Sequence, residues 1–319
     1  MDGVSVVMSV YDEPDHVQKT IESVLKQKGV DFEFIIVSDG ASEAVVEIVK
    51  SYADDLRVRF IQQSNAGLTV ALINGCSNAR FVYIARIDAG DVMLDDRLRI
   101  QYETLQANPD IGIVTSWVTI QTEEGYFLYD LTFSNSELNQ AIRALSVDEF
   151  RSPFHASVMF RKSVYFAVGG YRDSFYFAQD CDLWSRMIDC SKLKVIESVL
   201  TCGVFSATGI SGKYASEQKK LLALILQSRK RRLGNMPDND VLNQAYQLRP
   251  ANRDNKPINK ASNSSFPGLY FIAKVLTDNK SRYALVYWYR VFKCRPLSIK
   301  SWFFATMSVL YLFKRDEEQ

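Results

Sequence analysis

Acidic residues recur in this sequence at the points where short apolar runs end. Four such points carry polar residues, at 11–13, 38–42, 65–67 and 88–91, and three of the four contain carboxylates. A single aspartate in such a position often only caps the following helix. Three acidic groups in one crevice would repel one another, and a cation or a set of polar hydroxyl groups would relieve that repulsion. The pattern therefore favours a site for a polar ligand with a metal ion.

The apolar runs alternate with longer segments of helical periodicity. Strands are predicted at 4–10, 32–37, 58–62 and 81–87, with helices at 14–27, 43–52 and 68–79 between them. This alternation is typical of a mostly parallel sheet with helices on both faces. Ligands bind such sheets at the carboxyl ends of the strands. The three acidic points would therefore face the same crevice.

Neither of the common glycine-rich phosphate loops, GxGxxG and GxxxxGK[ST], occurs in the chain. Their absence argues against a dinucleotide-dependent dehydrogenase and a P-loop NTPase. A nucleotide bound here would need another counter-charge for its diphosphate. Asp88 and Asp91 could supply it by holding Mg²⁺ or Mn²⁺, since both ions prefer carboxylate and phosphate oxygens.

Six segments, taken in order, resemble the family-2 inverting glycosyltransferases with a GT-A fold. They are VSVVMSVYDEP, IIVSDGAS, NAGLTVALINGC, YIARIDAGD, SPFHASVMFRKS and FAQDCDLWSRM. The similarity covers residues 1–210. It implies a Rossmann-like α/β domain that uses a nucleotide-sugar donor, of the type that builds bacterial surface polysaccharides.

The resemblance implies donor-binding roles for residues that follow the first three strands. Tyr11, Glu13 and Asp39 correspond to the family's base- and ribose-binding positions. Asn65 and Gly67, in the turn after the third strand, are further candidates. The segment IIVSDGAS departs from the family, which more often has a second aspartate before the one at position 39.

The remaining roles concern the diphosphate and the proton. By resemblance Asp88 and Asp91 bind the metal with Arg86 beside them, and Asp180 is the catalytic base. Inverting transfer independently requires one carboxylate to accept the acceptor's proton while a cation stabilises the leaving diphosphate. His155 is either a site residue that contacts the donor or the acceptor, which we favour, or a satisfied histidine at the edge of the core.

Two departures bear on these roles. Gly90 stands where an acidic residue is common, so Asp91 would provide the second metal contact. Gln179 replaces a glutamate beside Asp180 and removes a charge that would raise the pKa of the base. Asp182 is the reserve candidate for the base.

Charge divides the chain into two parts. Residues 1–212 contain 18 Lys and Arg against 29 Asp and Glu, a net charge of −11, whereas residues 213–315 contain 20 against 5, a net charge of +15. The second part is predicted to be helical and includes the basic run 229–232. Its longest uncharged run, 301–313, is too short for a bilayer span of about 20 residues. We expect a glycosyltransferase domain at 1–210 and a basic helical extension at 211–319.

Aromatic residues interleaved with Lys and Arg favour an extension that binds an anionic membrane surface. The alternative is a helical subdomain packed on the catalytic domain or on a second subunit, which would make the chain a homo-oligomer. Nucleic acid is disfavoured as a partner, because so many large apolar residues require burial. Five scattered cysteines without metal-binding spacing, and no recognisable signal peptide, favour the cytoplasm.

These observations together predict a metal-dependent inverting glycosyltransferase at the inner face of the cell membrane. It would use a UDP-, GDP- or dTDP-activated sugar and extend a growing, lipid-linked glycan. One alternative is a nucleotidyltransferase on a similar fold, although the expected phosphate loop near the N-terminus is missing. The other is a catalytically inactive nucleotide-binding relative, which the intact aspartates disfavour.

Overall fold

The computed structural model describes residues 1–12, 14–207, 209, 214–249 and 266–295, together with Trp302, Ala305, Thr306 and Ser308. Nine strands lie in these ranges: β1 Val4–Val10, β2 Phe32–Asp39, β3 Val58–Gln63, β4 Tyr83–Arg86, β5 Val92–Met93, β6 Ile111–Thr122, β7 Phe127–Leu131, β8 Met159–Arg161 and β9 Lys192–Phe205. The seven strands and helices predicted before residue 90 are all present.

Eleven α-helices lie in the same ranges. They are α1 Pro14–Leu25, α2 Glu43–Lys50, α3 Leu68–Ser77, α4 Arg97–Ala107, α5 Asn135–Ala141, α6 Lys162–Ala167, α7 Gln179–Cys190, α8 Ala215–Leu233, α9 Asn239–Gln247, α10 Phe266–Asp278 and α11 Ala284–Cys294. Two short 3₁₀ helices, His155–Ser157 and Asp173–Phe175, precede β8 and α7.

The sheet follows the order β3-β2-β1-β4-β8-β6-β9-β5, and β7 pairs with β6. The first four strands in this order are parallel. β8 then pairs antiparallel with both β4 and β6. The register aligns Val10 with Ser38 and Val7 with Arg86, so the carboxyl ends of β1, β2 and β4 lie at one edge. This places the predicted acidic points together, as the strand-end rule requires.

Buried aliphatic strands are covered on each face of the sheet by a separate group of apolar side chains. The helix α3 packs especially closely on one face. A Cβ atom at Gly75 would lie 2.5 Å from Cγ1 of Val7, so the absence of a side chain permits this approach. The predicted α/β architecture is thereby confirmed.

The chain forms two compact units, and they divide it elsewhere than at residue 210. The first consists of Met1–Val118, Thr132–Gly203 and Ser216–Arg253, and the second of Thr119–Leu131, Val204–Ala215 and Asp254–Gln319. Residues 216–253 thus belong to the same unit as the parallel strands. The functional division into a catalytic domain and an extension stays a prediction.

Ion pairs explain why part of the basic segment belongs to the first unit. Arg229 binds Asp189 of α7 at 2.9 Å, and Arg232 lies 3.7 Å from the same carboxylate. Arg231 pairs with Asp240 of α9. Three of the four cations in the run 229–232 are therefore matched by acidic groups of their own unit. A net charge summed over residues cannot reveal such pairing.

The second unit has its own small core. Tyr287 and Arg290 of α11 both bind Glu124 in the turn between β6 and β7. The rings of Tyr126 and Tyr283 stack with their centroids 3.7 Å apart. The predicted apolar segment at 302–313 lies mostly outside the described residues.

Candidate active site

Asp39 organises the first polar loop of the site. It ends β2 and is buried. Its carboxylate accepts hydrogen bonds from the backbone N–H of Ala66 at 2.7 Å, the backbone N–H of Gly67 at 2.8 Å and Nε2 of Gln63 at 2.8 Å. Such charge-assisted bonds hold a turn firmly. The carboxylate that the sequence assigns to the nucleotide therefore also builds the turn that carries Asn65.

The loops after β1, β2 and β3 are neighbours. The carbonyl of Tyr11 accepts a hydrogen bond from the N–H of Ser42 at 3.3 Å. A Cβ atom at Gly40 would lie 2.9 Å from the backbone nitrogen of Asn65. Tyr11 is 42% exposed, so a ligand can reach its ring. Glu13 lies outside the described residues, and its role stays a prediction.

Arg86 is fully buried at the end of β4, and its guanidinium makes four hydrogen bonds. Nη1 donates to the carbonyls of Val7 at 2.6 Å and Ile87 at 2.8 Å. Nε donates to Nε2 of His155 at 3.2 Å, and Nη2 pairs with Asp88. A buried cation is tolerated only when its donors are bonded and its charge is compensated. The positions of these partners are therefore coupled through Arg86.

His155 is a neutral imidazole with a defined tautomer. Its Nε2 accepts from Arg86 and lies 2.8 Å from the hydroxyl of Tyr171. Because a guanidinium can only donate, the ring hydrogen must be on Nδ1, which lies 3.9 Å from a carboxylate oxygen of Asp88. Burial, reinforced by Arg86, lowers the pKa of His155 to about 4, although Asp88 and Asp180 both oppose this shift.

The two aspartates after β4 have different environments. The side chain of Asp88 is 38% exposed. Burial raises its pKa, but the positive charge of Arg86 and its hydrogen bond to the carboxylate outweigh burial and hold that pKa below its usual range. Asp91 is buried, and its charge acts on the fully buried guanidinium of Arg97. Asp88 is therefore the carboxylate of this loop that is more accessible to a ligand.

The threonine of α1 fixes the same loop. The Oγ1 of Thr20 accepts from the N–H of Gly90 at 2.9 Å and donates to the carbonyl of Asp91 at 2.8 Å. Gly90 has a φ of +103°, a conformation that residues with side chains rarely adopt. The loop is thus built around a glycine.

These residues fit a cation that is shared with a phosphate-bearing ligand. Within the described ranges, no group of three or more His, Cys, Asp and Glu side chains is arranged to hold a metal ion. Mg²⁺ and Mn²⁺ are often bound by only one or two carboxylates, with phosphate oxygens and water completing the shell. Asp88 can provide such a carboxylate, and a diphosphate would have to provide further ligands.

Asp180 and Asp182 both lie in the first turn of α7, but only Asp180 is accessible. Asp180 is half-buried, and its charge acts on the ring of His155 and on the hydroxyl of Tyr171. Asp182 is fully buried, and its Oδ2 accepts a hydrogen bond from Arg186 at 2.6 Å. The expectation that Asp182 could act as a reserve base is therefore wrong, because its carboxylate belongs to an internal ion pair.

The comparison with protein families decides the classification. The family model described as Glycosyl transferase family 2 matches residues 5–166, about half of the chain. The chain belongs to this family. It is a transferase of the glycosyltransferase class, and the nucleotidyltransferase alternative is set aside.

Similar glycosyltransferases come from bacteria and archaea. An uncharacterised glycosyltransferase of Methanocaldococcus jannaschii is 32% identical over 202 residues, which cover 62% of this chain and 69% of that protein. The O-antigen biosynthesis glycosyltransferase WbnJ of Escherichia coli is 30% identical over 61% of this chain and 75% of its own length. The amylovoran biosynthesis glycosyltransferase AmsE of Erwinia amylovora is 28% identical over 58% of this chain and 69% of its own length.

Among solved structures, the chain resembles a mannosyltransferase from Pyrobaculum calidifontis in complex with GDP-Man and Mn²⁺. The TM-score is 0.55 at 14% identity, over 98% of this chain and 86% of the mannosyltransferase. At such low identity the likeness shows the fold alone, which is GT-A as predicted.

Two residues of this family-2 site were missed by sequence reasoning. Tyr171 has no local sequence signal of a role in the site, yet its hydroxyl lies 2.8 Å from Nε2 of His155. Arg97 was not noted at all, although its Nη2 donates to the carbonyl of Arg86 at 2.8 Å. An arginine in an ordinary charged helix gives no sequence signal of complete burial.

The buried ion pair of α7 yields a stability prediction. Asp182→Asn removes the counter-charge of Arg186, so we expect the free energy of unfolding to fall by about 3–5 kcal/mol. The neighbouring control Asp180→Asn changes no described ion pair, and its effect should stay within about 0.5 kcal/mol. Urea denaturation of both variants measures this difference. Equal stabilities for the two variants would contradict the assignment of Asp182 to a structural role.

Proposed function

We propose that this family-2 enzyme transfers a sugar, with inversion, from a nucleotide-sugar donor to a growing, lipid-linked glycan. The reaction depends on a divalent cation, Mn²⁺ or Mg²⁺. The donor nucleotide is UDP, GDP or dTDP. The setting is the synthesis of a bacterial surface polysaccharide, such as an O-antigen, a capsule or an exopolysaccharide.

The position of His155 carries this proposal. Asp88 and Asp180 are far apart in the sequence, yet both carboxylates act electrostatically on its imidazole. The two acidic groups that inverting transfer requires are therefore close to one buried ring. The neutral, bonded state of His155 keeps it from competing with Asp180 for the acceptor's proton.

The loops at the carboxyl ends of β1, β2 and β3 form the nucleotide site of the proposed enzyme. Asp39 holds the turn of Asn65 and Gly67, and the exposed ring of Tyr11 lies next to the loop after β2. Asp39 retains acceptor capacity, because a carboxylate has about four lone-pair positions and only three donors occupy them. In this proposal Asp39, Tyr11 and Glu13 bind the base and the ribose.

Asp88, with Asp91 in the same loop, would hold the cation against the diphosphate. A cation in this position would stabilise the negative charge on the leaving nucleoside diphosphate. Arg86 keeps Asp88 ionised and oriented through a direct ion pair. The Nδ1 atom of His155 lies 3.9 Å from the other oxygen of the same carboxylate.

Asp180 is the proposed base. It lies in the first turn of α7, at the end of the helix that carries a partial positive charge. Its half-buried position leaves an oxygen accessible to an acceptor hydroxyl. Asp182 is fully buried and its Oδ2 is bonded to Arg186, so it does not compete for this proton.

The names of similar enzymes support a polysaccharide setting, since two of them act in O-antigen and amylovoran biosynthesis. A lipid-linked acceptor places the work at the inner membrane face, where we propose that the enzyme is peripherally bound. No helix within the described residues is long and apolar enough to cross a bilayer.

The second unit offers a surface suited to a membrane. Arg282, Val286, Tyr289 and Lys293 are exposed and follow one another at helical spacing on and just before α11. We call these four residues the α11 stripe. It has basic ends and an apolar centre, which is the composition of helices that lie in an anionic interface. The competing role of this surface is contact with a second subunit.

Two carboxamide variants test the proposed chemistry together. Asp180→Asn should lower the transfer rate by roughly 10²–10⁴-fold and leave donor binding near normal, because only the proton acceptor is lost. Asp88→Asn should remove the Mn²⁺-dependent part of nucleoside diphosphate binding. Single-turnover transfer and calorimetry with and without metal measure both effects. Normal turnover of Asp180→Asn, or metal-dependent binding preserved in Asp88→Asn, would refute the corresponding role.

The α11 stripe can be tested on vesicles with a charge-matched control. The double variant Arg282→Glu and Lys293→Glu should bind anionic vesicles at least about tenfold more weakly, since each basic residue contributes roughly 1 kcal/mol at such a surface. Lys219→Glu with Lys220→Glu changes the net charge equally but alters exposed residues of α8. Co-sedimentation should separate the two pairs. The membrane role would be overturned if both double variants lost vesicle binding equally, or if the double variant of the α11 stripe changed only the oligomeric state.

A further inference from the structure

Residues 171–178 lead into α7, which carries the proposed base, Asp180. We call residues 171–178 the catalytic loop of the proposed enzyme, and this loop touches both halves of the site. Tyr171 at its start contacts His155 through its hydroxyl, and Asp180 follows its end. Between them, Tyr176 lies against the turn of Asn65 and Gly67, which we call the nucleotide turn. A Cβ atom at Gly67 would be 2.6 Å from the Tyr176 ring. Any movement of this loop would therefore displace the base relative to the donor.

Two adjacent residues of opposite charge attach the catalytic loop to the two ends of α9. Arg172 pairs at 3.2 Å with Asp238, which immediately precedes α9. Asp173 accepts two hydrogen bonds, of 2.7 and 2.9 Å, from Arg249, which follows α9. The loop thus presents a positive and then a negative residue, and α9 has a negative residue before its start and a positive residue after its end. We call these two ion pairs the α9 clamp.

Arg249 makes the more extensive of the two attachments. Its side chain is 8% exposed. Its guanidinium lies 4.6 Å from the ring centroid of Tyr246 and 5.5 Å from that of Tyr176. A planar guanidinium can combine a bidentate carboxylate pair with stacking on aromatic rings, which a lysine cannot do. Arg249 therefore holds both Asp173 and the ring that covers Gly67.

We infer that Arg249, with Asp238 at the other end of α9, is a positioning residue that sets the place of Asp180 relative to the bound donor. The inference rests on the proposed function, and it extends the active unit well beyond the family match at residues 5–166. The contacts of Arg249 within the described residues are with Asp173, Tyr176 and Tyr246, and none is with Asp180. Arg249 acts through the catalytic loop, whereas Asp39 holds the nucleotide turn by separate hydrogen bonds.

This division of labour predicts a specific kinetic signature. Arg249→Ala should lower kcat for transfer by roughly 10–10²-fold, the scale expected when a reacting group is misplaced by about 1 Å. The donor KM should change by less than about twofold, because Asp39 still builds the nucleotide turn. The kcat of Arg249→Lys should lie between those of Arg249→Ala and the wild type. Arg231→Ala is the control, since it removes an ion pair between α8 and α9 that does not contact the loop.

A double-mutant cycle tests whether the ion pair acts as one unit. The variant that combines Arg249→Ala with Asp173→Asn should lose no more activity than the more severe single variant. The inference would be overturned if the loss of activity in the double variant equalled the product of the two single losses. It would also be overturned if Arg249→Ala left kcat unchanged or changed only KM. If Arg249→Ala fails to fold, Arg249→Lys and Asp173→Asn decide the question by the same criteria.

The failure of the proposed function would be visible separately. If Asp180→Asn retains wild-type transfer, the assigned base is wrong, and the α9 clamp is then judged by hydrogen exchange of amides 173–178. Faster exchange in Arg249→Ala than in Arg231→Ala supports the α9 clamp. Equal exchange rates in these two variants would refute the role of the α9 clamp.

Discussion

A fully buried guanidinium is the constraint on which this site depends. Arg86 ends a parallel strand in the interior, where an unpaired positive charge would cost several kcal/mol. The cost is offset because its donors reach two backbone carbonyls, one imidazole nitrogen and one carboxylate. The carbonyl of Val7 lies in the middle of β1, and that of Ile87 directly follows β4. Sheet geometry therefore determines where the guanidinium lies, and the guanidinium determines where Asp88 and His155 lie.

The same constraint extends to the second half of the site. Tyr171 begins the catalytic loop by placing its hydroxyl beside the nitrogen of His155 that Arg86 also binds. The loop then leads into α7 with Asp180 in its first turn, and two ion pairs attach Arg172 and Asp173 of the loop to the ends of α9. In the proposed enzyme, a sugar donor bound between Asp39 and Asp88 would thus meet the proposed base, Asp180, at a position fixed from two sides. Rigid support of this kind is what accurate placement of reacting groups requires.

The elements before residue 90 were predictable because their signals are local. β-branched runs, helical spacing and polar strand ends are properties of a short window, and the register then brought the acidic points together. Contacts between distant segments were not predictable in this way. The helix α9 lies in a stretch rich in polar residues, and Arg229 and Arg232 find their acidic partner, Asp189, far away in sequence. Likewise, nothing local distinguishes the accessible Asp180 from the buried Asp182.

The central claim is that Arg86 and its surroundings keep His155 neutral, with its hydrogen on Nδ1. The chain has two histidines, so nitrogen-detected NMR of the metal-free protein can assign both rings with the help of a His16→Gln variant. We predict that His155 shows the Nδ1–H tautomer at neutral pH and protonates only near pH 4, in line with its lowered pKa of about 4. A midpoint near 6.5, or a ring with its hydrogen on Nε2, would contradict the account.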